Sequence, residues 1–113
     1  MGSAGHQFVD TPNMDRMAHG GVHFTRAYCN SPLCVPSRMS MMTGLLPHHT
    51  DVFTNSDSLR SDIPTLAHAM GIGGYDTVLC GRMHFVGPDQ RHGYQQRLVG
   101  DITHCYLGGP RTD

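Results

Sequence analysis

The stretch Cys34-Val35-Pro36-Ser37-Arg38 decides how the rest of this sequence is interpreted. Pro36 and Ser37 suit the first turn of a helix, because proline has no N–H group to lose there. Residues four apart lie on one face of a helix, so Arg38 is expected beside Cys34. Free N–H groups and the helix dipole favour an anion at this end. The five residues therefore predict a reactive thiol in an anion-binding pocket.

The same stretch and its surroundings resemble a known family. Residues 34–38 match the sulfatase signature in which the cysteine is converted to formylglycine. The chain is identified on this basis as a member of the type I sulfatases of the alkaline phosphatase superfamily. Residues 79–85, Leu-Cys-Gly-Arg-Met-His-Phe, are similar to the choline-sulfatase-like branch. Other segments of resemblance lie on both sides of the signature, at 11–16, 24–29, 43–44, 47–48, 74–77 and 81–84.

The resemblance implies covalent catalysis at Cys34. A formylglycine-generating enzyme would oxidise the side chain to an aldehyde, which hydrates to a gem-diol. One hydroxyl, held on a divalent cation, would attack the sulfur of a small-molecule sulfate ester, and the other would then lose its proton and expel sulfate. Arg38 would be a fixed cation beside the diol and the sulfate. Modified Cys34 would also be a metal ligand, with Ca²⁺ as the cation.

Arg82 and His84 follow a predicted strand, where sites form in α/β sheets. The family has a lysine, one residue and then a histidine at this place, so the resemblance implies that His84 assists proton transfer at the diol. Arg82 departs from the lysine: the charge is kept, but guanidinium and ammonium are not interchangeable at a close site. We expect Arg82 either to crowd the sulfate or to hold it by two parallel bonds.

Asn55 has two interpretations. The choline-sulfatase-like branch has a substrate-facing asparagine at this place, whereas an asparagine in a loop commonly serves the turn itself. The nine histidines of the chain share no ligand spacing, even where His48 and His49 are adjacent. They are therefore expected to be solvated or packed side chains and not a metal site.

The resemblance also indicates which parts of the site lie outside this chain. The family's metal site needs an acidic pair on a first strand, which would precede Met1, and an Asp/Asn pair far downstream. Calcium takes six or more oxygen ligands, and modified Cys34 would supply only one. We therefore expect no measurable sulfatase turnover from these residues alone.

The expected fold class is α/β: a partial alkaline-phosphatase-like sandwich, with a mixed sheet flanked by helices, incomplete in this chain. Residues 1–113 would form one partial N-terminal catalytic domain that lacks the first strand and the C-terminal majority. The predicted order of helices and strands also indicates α/β layering without reference to the family. Fourteen glycines, seven prolines and no tryptophan indicate a thin core, so the chain is not expected to fold stably alone.

Local patterns predict the individual elements. Thr11 and Pro12 begin a helix that ends at Gly20-Gly21, and Gly44 closes a helix that carries Met39 and Met42 into the core. Residues 45–62 and 81–93 are expected to be loops. The predicted elements are helices at 12–19, 36–43 and 63–70, with Gly71 as the stop of the last, and strands at 22–28, 77–80 and about 98–102.

Composition limits the kinds of binding partner and the cellular location that we expect. The formal net charge is −1, so nothing suggests binding to nucleic acid or to an anionic membrane. No apolar run approaches the length of a membrane span, and Met1 is not followed by a basic and then apolar leader. The cysteines contain no Cys-x-x-Cys pair, and unpaired cysteines favour a cytoplasmic location.

Two other functions remain open from the residues. The chain could be a small redox or metal-binding module that uses its four cysteines, Cys29, Cys34, Cys80 and Cys105. Alternatively, a relative within the same superfamily could use the cysteine or its aldehyde on phosphate or phosphonate esters. The sulfatase interpretation is distinguished by the combination of Cys34 with its proline and arginine at fixed offsets.

Overall fold

The computed structural model describes residues 1–99. After a 3-10 turn at Gly2–Ala4, four helices precede a pair of strands. The helices are α1 (Pro12–Gly20), α2 (Cys34–Thr43), α3 (Pro47–Thr50) and α4 (Leu66–Ile72), and the strands are β1 (Val78–Cys80) and β2 (Gln96–Val99). No helix in the described range is long and apolar enough to cross a membrane.

The two strands form a parallel pair. Val78 lies opposite Gln96 and Leu79 opposite Arg97, and the register is irregular between Leu79 and Cys80. Parallel strands need a long connection, and here it is the loop of residues 81–95. The α/β class is confirmed. The sheet within residues 1–99 is this parallel pair, where the sequence led us to expect a mixed sheet.

Helix α1 begins at the predicted proline and runs to Gly20, but none of its residues is buried. The strand predicted at 22–28 is wrong, because these residues form coil and turn. Its apolar side chains, including Val22 and Phe24, are 80% and 76% exposed. Alternation of apolar and polar residues makes a strand only where a neighbouring strand pairs with it, and none of the described strands does.

Helix α2 contributes several side chains to the hydrophobic core. Val35, Met39 and Met42 are buried on its inner face, as predicted for the two methionines. The helix ends at Gly44, whose φ of 72° is the left-handed conformation that glycine adopts most readily. It begins two residues earlier than predicted, so Pro36 is its third residue. That position also tolerates proline, because the first four N–H groups of a helix have no partner inside it.

The segment after α2 differs from the prediction in two places. The predicted loop of 45–62 contains the single turn α3, which begins at Pro47. Helix α4 begins later than predicted because Thr65 is its N-cap, with His68 completing a capping box. It continues through Gly71 to Ile72, so the predicted stop at Gly71 is wrong. A glycine weakens the interior of a helix but need not end it.

The two strands lie close to their predicted positions. β1 lies within the predicted 77–80, and Leu79 is the buried one of its three residues. β2 is found at Gln96–Val99, where a strand was predicted at about 98–102. The remainder of that prediction lies outside the described residues.

The loop of residues 81–95 packs across the core. Phe85 is fully buried, and the ring of His92 lies 4.6 Å from its ring centroid. Thr65 Oγ1 donates a hydrogen bond of 2.6 Å to the His92 carbonyl, which joins the loop to the start of α4. Gly93 has a φ of 96°, and a Cβ there would lie 2.5 Å from His68 Nδ1. The loop is thereby held against the start of α4.

Candidate active site

Cys34 is the first residue of α2 and is exposed. Leu33 is the N-cap residue, and its side chain makes no hydrogen bond to the helix. The free N–H groups at the start of α2 therefore need a partner from another segment. Cys34 and Arg38 share one face, as predicted, and line a surface cleft of about 350 Å³. The other residues of this cleft are Cys29, Ser31, Pro32, Leu33, Ser37 and Met41. The predicted arrangement of thiol, helix N-terminus and guanidinium is therefore present.

Asn55 supplies the missing cap. Its Oδ1 accepts a hydrogen bond of 2.9 Å from the backbone N–H of Val35, twenty residues earlier in the chain. One of the free N–H groups at the start of α2 is thereby satisfied by a side chain from a distant loop. Asn55 thus lies next to Cys34 in space, and its Oδ1 serves the helix that carries Cys34.

Asp57 shapes the loop that carries Asn55. Its Oδ2 accepts hydrogen bonds from the N–H groups of Phe53, at 2.8 Å, and Thr54, at 2.7 Å. These two bonds hold the pKa of the Asp57 carboxyl below its ordinary value. Ser58 Oγ donates a hydrogen bond of 2.8 Å to the Val86 carbonyl. One short loop, residues 53–58, therefore contacts both the start of α2 and the loop after β1.

The segment after β1 alternates between core and surface. Met83 and Phe85 are buried, whereas Arg82 is exposed and His84 is partly exposed. Gln90 Nε2 donates to the carbonyls of Phe85, at 3.0 Å, and Gly87, at 2.8 Å. The buried residues and these bonds anchor the segment, so Arg82 and His84 are presented from a fixed backbone.

Arg38, Arg82 and His84 are connected to one another. Arg38 Nη1 donates a hydrogen bond of 3.0 Å to the backbone carbonyl of Arg82. Arg82 Nη2 lies 3.1 Å from His84 Nδ1. His84 has a φ of 58°, a left-handed conformation that residues other than glycine seldom adopt and that often occurs at functional sites. The structure thus brings the two predicted arginines and the predicted histidine into one polar cluster.

The sequence prediction named five site residues and missed their supports. Asp57, Ser58 and Gln90 hold the segments on which Asn55 and His84 lie. A local signal existed for Asp57, because the polar run of residues 54–58 is typical of side chains that bond nearby backbone. The contact of Ser58 with Val86 joins residues 28 positions apart, and no local pattern indicates it.

The described residues do not fit a calcium ion by themselves. Calcium needs six or more oxygen ligands. No group of three or more His, Cys, Asp or Glu side chains in residues 1–99 is arranged to hold a metal. The carboxylate of Asp57, in the same loop as Asn55, already accepts two backbone hydrogen bonds. A cation at Cys34 would need ligands beyond these.

The positions of the cysteines and histidines bear on the alternative of a small redox or metal-binding module. Cys29, Cys34 and Cys80 are exposed free thiols, and Cys105 lies outside the described residues. Cys29 and Cys34 line the same cleft, while Cys80 ends β1. His48 and His49 are exposed and contact each other, with ring centroids 4.0 Å apart.

Solved structures define the fold class. The chain superposes on a phosphonate monoester hydrolase of Agrobacterium radiobacter with a TM-score of 0.71 and 28% identity, covering 92% of this chain and 23% of that one. The chain also superposes on a protein solved in complex with its substrate D-glucosamine-2-N,6-O-disulfate. The TM-score is 0.70 and the sequence identity is 30%, and the match covers 86% of this chain and 19% of that one. The fold is that of the alkaline-phosphatase-like sulfatases.

Sequence relatives give the family. The sulfatase family profile matches residues 1–107, and the chain belongs to the sulfatase family. It is 47% identical over 101 residues to the choline-sulfatase of Rhizobium meliloti, covering 89% of this chain and 20% of that protein. It is 36% identical over 122 residues to arylsulfatase A of Bos taurus, covering 97% of this chain and 24% of that protein. The chain thus spans less than a quarter of the length of these two relatives.

Membership of the sulfatase family indicates the general type of chemistry. Sulfatases of this family generally use a formylglycine and a divalent metal. The comparisons thereby favour the sulfatase interpretation over a redox module. The roles of individual side chains in this chain are a separate question.

Proposed function

We propose that this chain is part of a sulfuric ester hydrolase whose nucleophile is residue 34, converted from cysteine to formylglycine. The observation that carries the proposal is the position of Cys34 as the exposed first residue of α2, with Arg38 in the same cleft. The match to the sulfatase family over residues 1–107 supports it. The likeness to a choline-sulfatase makes choline sulfate the first substrate to test.

Formylglycine, once hydrated, supplies two hydroxyls on one carbon, one to attack sulfur and release the alcohol and one to expel sulfate afterwards. The residues of this chain position that group. Asn55 caps the first turn of α2 through the Val35 N–H, which holds the backbone that carries residue 34. Arg38 uses Nη1 on the Arg82 carbonyl, and a guanidinium carries further N–H donors on the same plane for a sulfate oxygen.

The partner that modifies Cys34 is a formylglycine-generating enzyme, which catalyses the oxidation of the Cβ carbon by dioxygen to an aldehyde with loss of the sulfur. We propose that it acts before this segment folds. In the folded chain residue 34 is helical, and its neighbours Val35 and Pro36 are less than 2% exposed. A modifying enzyme that reads an extended Cys-x-Pro-x-Arg segment would have to unfold the first turn of α2 and expose Val35, which makes the folded chain a poor substrate.

Hydrolysis of phosphonate or phosphate esters is the second candidate function. The observation that favours it is the likeness in fold to a phosphonate monoester hydrolase. Sulfate monoesters and phosphonate monoesters both present anionic oxygens to a cationic pocket, so a cluster such as Arg38 and Arg82 suits either. The two substrate classes differ at the central atom, because a phosphonate carries a carbon substituent on phosphorus where a sulfate ester has a further oxygen on sulfur.

The test is hydrolysis by the complete protein that contains this chain, coexpressed with a formylglycine-generating enzyme. Choline sulfate, an aryl sulfate and an aryl phosphonate monoester are compared at equal concentrations. We expect sulfate ester hydrolysis that is lost in Cys34→Ala and kept in Cys80→Ser, since Cys80 ends β1 and does not line the cleft. Retention of full sulfatase activity in Cys34→Ala would contradict the proposal, and faster hydrolysis of the phosphonate would favour the second candidate.

A further inference from the structure

We propose that Cys29 and Cys34 form a reversible disulfide, which is a second modification of residue 34 besides its conversion to formylglycine. The observation that carries this proposal is the presence of two free thiols in one cleft. The disulfide concerns the chain's own cysteines and stands without the proposed function. Its consequence for catalysis rests on the proposed function.

The two thiols share one surface. Cys29 and Cys34 are both exposed, and both line the cleft of about 350 Å³ at the start of α2. Cys80, the third cysteine of residues 1–99, ends β1 and does not line this cleft. Among the described cysteines, Cys29 is therefore the one placed to react with Cys34.

The segment between the two cysteines is bent. Five steps of extended chain would separate their Cα atoms by about 17 Å, whereas a disulfide needs Cα atoms within about 7 Å of each other. Residues 30, 32 and 33 are bends, and Ser31 Oγ accepts a hydrogen bond of 3.2 Å from the Leu33 N–H. These bends turn the segment back at the start of α2, so that side chains from both of its ends line one cleft.

Cys29 lies on the side of the pair that is free to move. Cys34 is held in α2, where Asn55 caps the N–H group of the next residue. Residues 27–33, in contrast, contain no buried side chain and belong to none of the described helices or strands. A segment with so few buried contacts adjusts at little cost in free energy. Cys29 therefore approaches Cys34 without disrupting the core.

A small-molecule disulfide such as oxidised glutathione supplies the oxidant. The thiolate of one cysteine attacks a sulfur of that disulfide, whose S–S bond breaks and releases one small thiol. The thiolate of the other cysteine then attacks the protein sulfur of the mixed disulfide and releases the second small thiol. The two cysteines lose two electrons and two protons in all, and the small disulfide is reduced to two thiols. Excess small thiol reverses both steps.

The disulfide and the formylglycine exclude each other. Conversion removes the sulfur of residue 34, so a converted chain has no second thiol to pair with Cys29. A Cys34 already in the disulfide has no free thiol for the modifying enzyme. Oxidation before conversion would therefore leave the cleft without the aldehyde that the proposed function needs.

Tryptic mapping tests the proposal, because cleavage after Arg26 and Arg38 releases both cysteines in one peptide, residues 27–38. The complete protein is made without a formylglycine-generating enzyme, equilibrated with reduced and oxidised glutathione, quenched in acid, alkylated in denaturant and digested. After oxidation we expect this peptide to be unalkylated and lighter by two hydrogens than its dithiol form. After reduction we expect it to be doubly alkylated.

Two variants and one solvent condition are the controls. Cys29→Ser should lose the protection of Cys34 against alkylation, whereas Cys80→Ser, outside the cleft, should keep it. The disulfide should form at a more reducing glutathione ratio in the folded protein than in urea, because the fold holds both thiols in one cleft. The proposal is overturned if peptide 27–38 stays doubly alkylated or carries only glutathione, if either cysteine links elsewhere, or if urea makes no difference.

Two results separate this proposal from the proposed function. If the coexpressed protein hydrolyses no sulfate ester while the unconverted protein forms the disulfide, the proposed function fails and the disulfide stands. If sulfate esters are hydrolysed and the unconverted protein forms no disulfide, this proposal fails and the proposed function stands.

Discussion

At the scale of single residues, the site combines side chains that sequence could name with contacts that it could not. Cys34 and Arg38 were predicted to share a face because four residues make about one helical turn, and they line one cleft. The sequence allowed two interpretations of Asn55, as a substrate-facing residue or as part of a turn. The structure shows a contact that neither interpretation included, because Asn55 Oδ1 caps α2. Sequence spacing predicts which residues are neighbours one helical turn apart. It does not predict the bond between Val35 and Asn55, because that bond depends on the tertiary position of the loop that carries Asn55.

The cap predicts different results for two variants of Asn55. Asn55→Ala should destabilise the protein by about 1 kcal/mol, the usual cost of losing an N-cap side chain, and should lower turnover because Cys34 is less well held. Asn55→Asp keeps an acceptor for the Val35 N–H and should recover most of the stability. Its negative charge beside the cleft should still weaken binding of sulfate esters.

Thermal unfolding and steady-state kinetics of both variants make the comparison. If Asn55 serves the substrate and not the helix, Asn55→Ala will leave the free energy of unfolding unchanged while KM rises. Ser56→Ala, in the same exposed loop, is the matched control for a change that removes no cap.

At the scale of elements, helices were predicted better than strands. The ends of α1 and α2 depend on residues nearby in sequence, such as Pro12 and Gly44, so local patterns locate them to within two residues. The predicted strand at 22–28 failed because pairing requires a partner from elsewhere in the chain. The segment after β1 was predicted only as a loop, although it carries Phe85 into the core.

Two glycines should respond in opposite ways to alanine. Gly44 has a φ of 72°, and Gly71 lies inside α4 without a positive φ; a Cβ would meet no atom within 4 Å at either position. Gly44→Ala should destabilise by about 1 kcal/mol because the left-handed conformation disfavours a Cβ. Gly71→Ala should stabilise by about 0.5–1 kcal/mol through helix propensity. Denaturant unfolding of both variants checks this, and shifts in the same direction would contradict it.

His92 predicts a pH dependence of stability. It is 1% exposed, and neither ring nitrogen has a hydrogen-bond partner in the described part of the chain, although Asp89 Oδ2 lies 3.4 Å from Nδ1. Burial lowers the pKa of His92 from its ordinary 6.5, nearby Asp89 opposes this, and His68 adds to it. The unfolded chain therefore takes up a proton first, so stability is constant above about pH 6.5 and falls as the pH decreases below it.

The measurement is the unfolding midpoint between pH 7.5 and pH 5. His92→Gln should reduce the fall over this range, whereas His23→Gln, at an exposed position, should leave it as in the parent. An equal pH dependence in the parent and in His92→Gln would show that another group is responsible.

At the scale of the whole molecule, the described core is small and much apolar surface is exposed. Phe8, Met17, Phe24 and Tyr28 are each at least 76% exposed. The family and the superfamily fold could be predicted from the sequence because motifs at fixed offsets extend along most of the chain. The packing of α1 could not, because the described element that contacts it is the 3-10 turn at Gly2–Ala4, and this contact leaves no residue of α1 buried.

The isolated 113-residue chain should show no measurable sulfatase turnover, even after conversion of Cys34. The described residues hold no set of carboxylates for a divalent cation, and a diol without its cation is a weak nucleophile. The assay is hydrolysis of an aryl sulfate by the purified, modified chain with and without calcium. The complete protein under the same conditions is the positive control, and calcium-dependent turnover by the isolated chain would contradict the missing-ligand argument.

Peptide mass spectrometry of residue 34 tests the central claim most directly. The chain is coexpressed with a formylglycine-generating enzyme, digested, and each cysteine-containing peptide is measured. We expect conversion at Cys34 and at none of Cys29, Cys80 and Cys105, since only Cys34 has proline and arginine at the required offsets. Arg38→Lys should reduce conversion while leaving expression unchanged. An unmodified Cys34, with the same enzyme active on a control sulfatase, would contradict the assignment of residue 34 as the nucleophile.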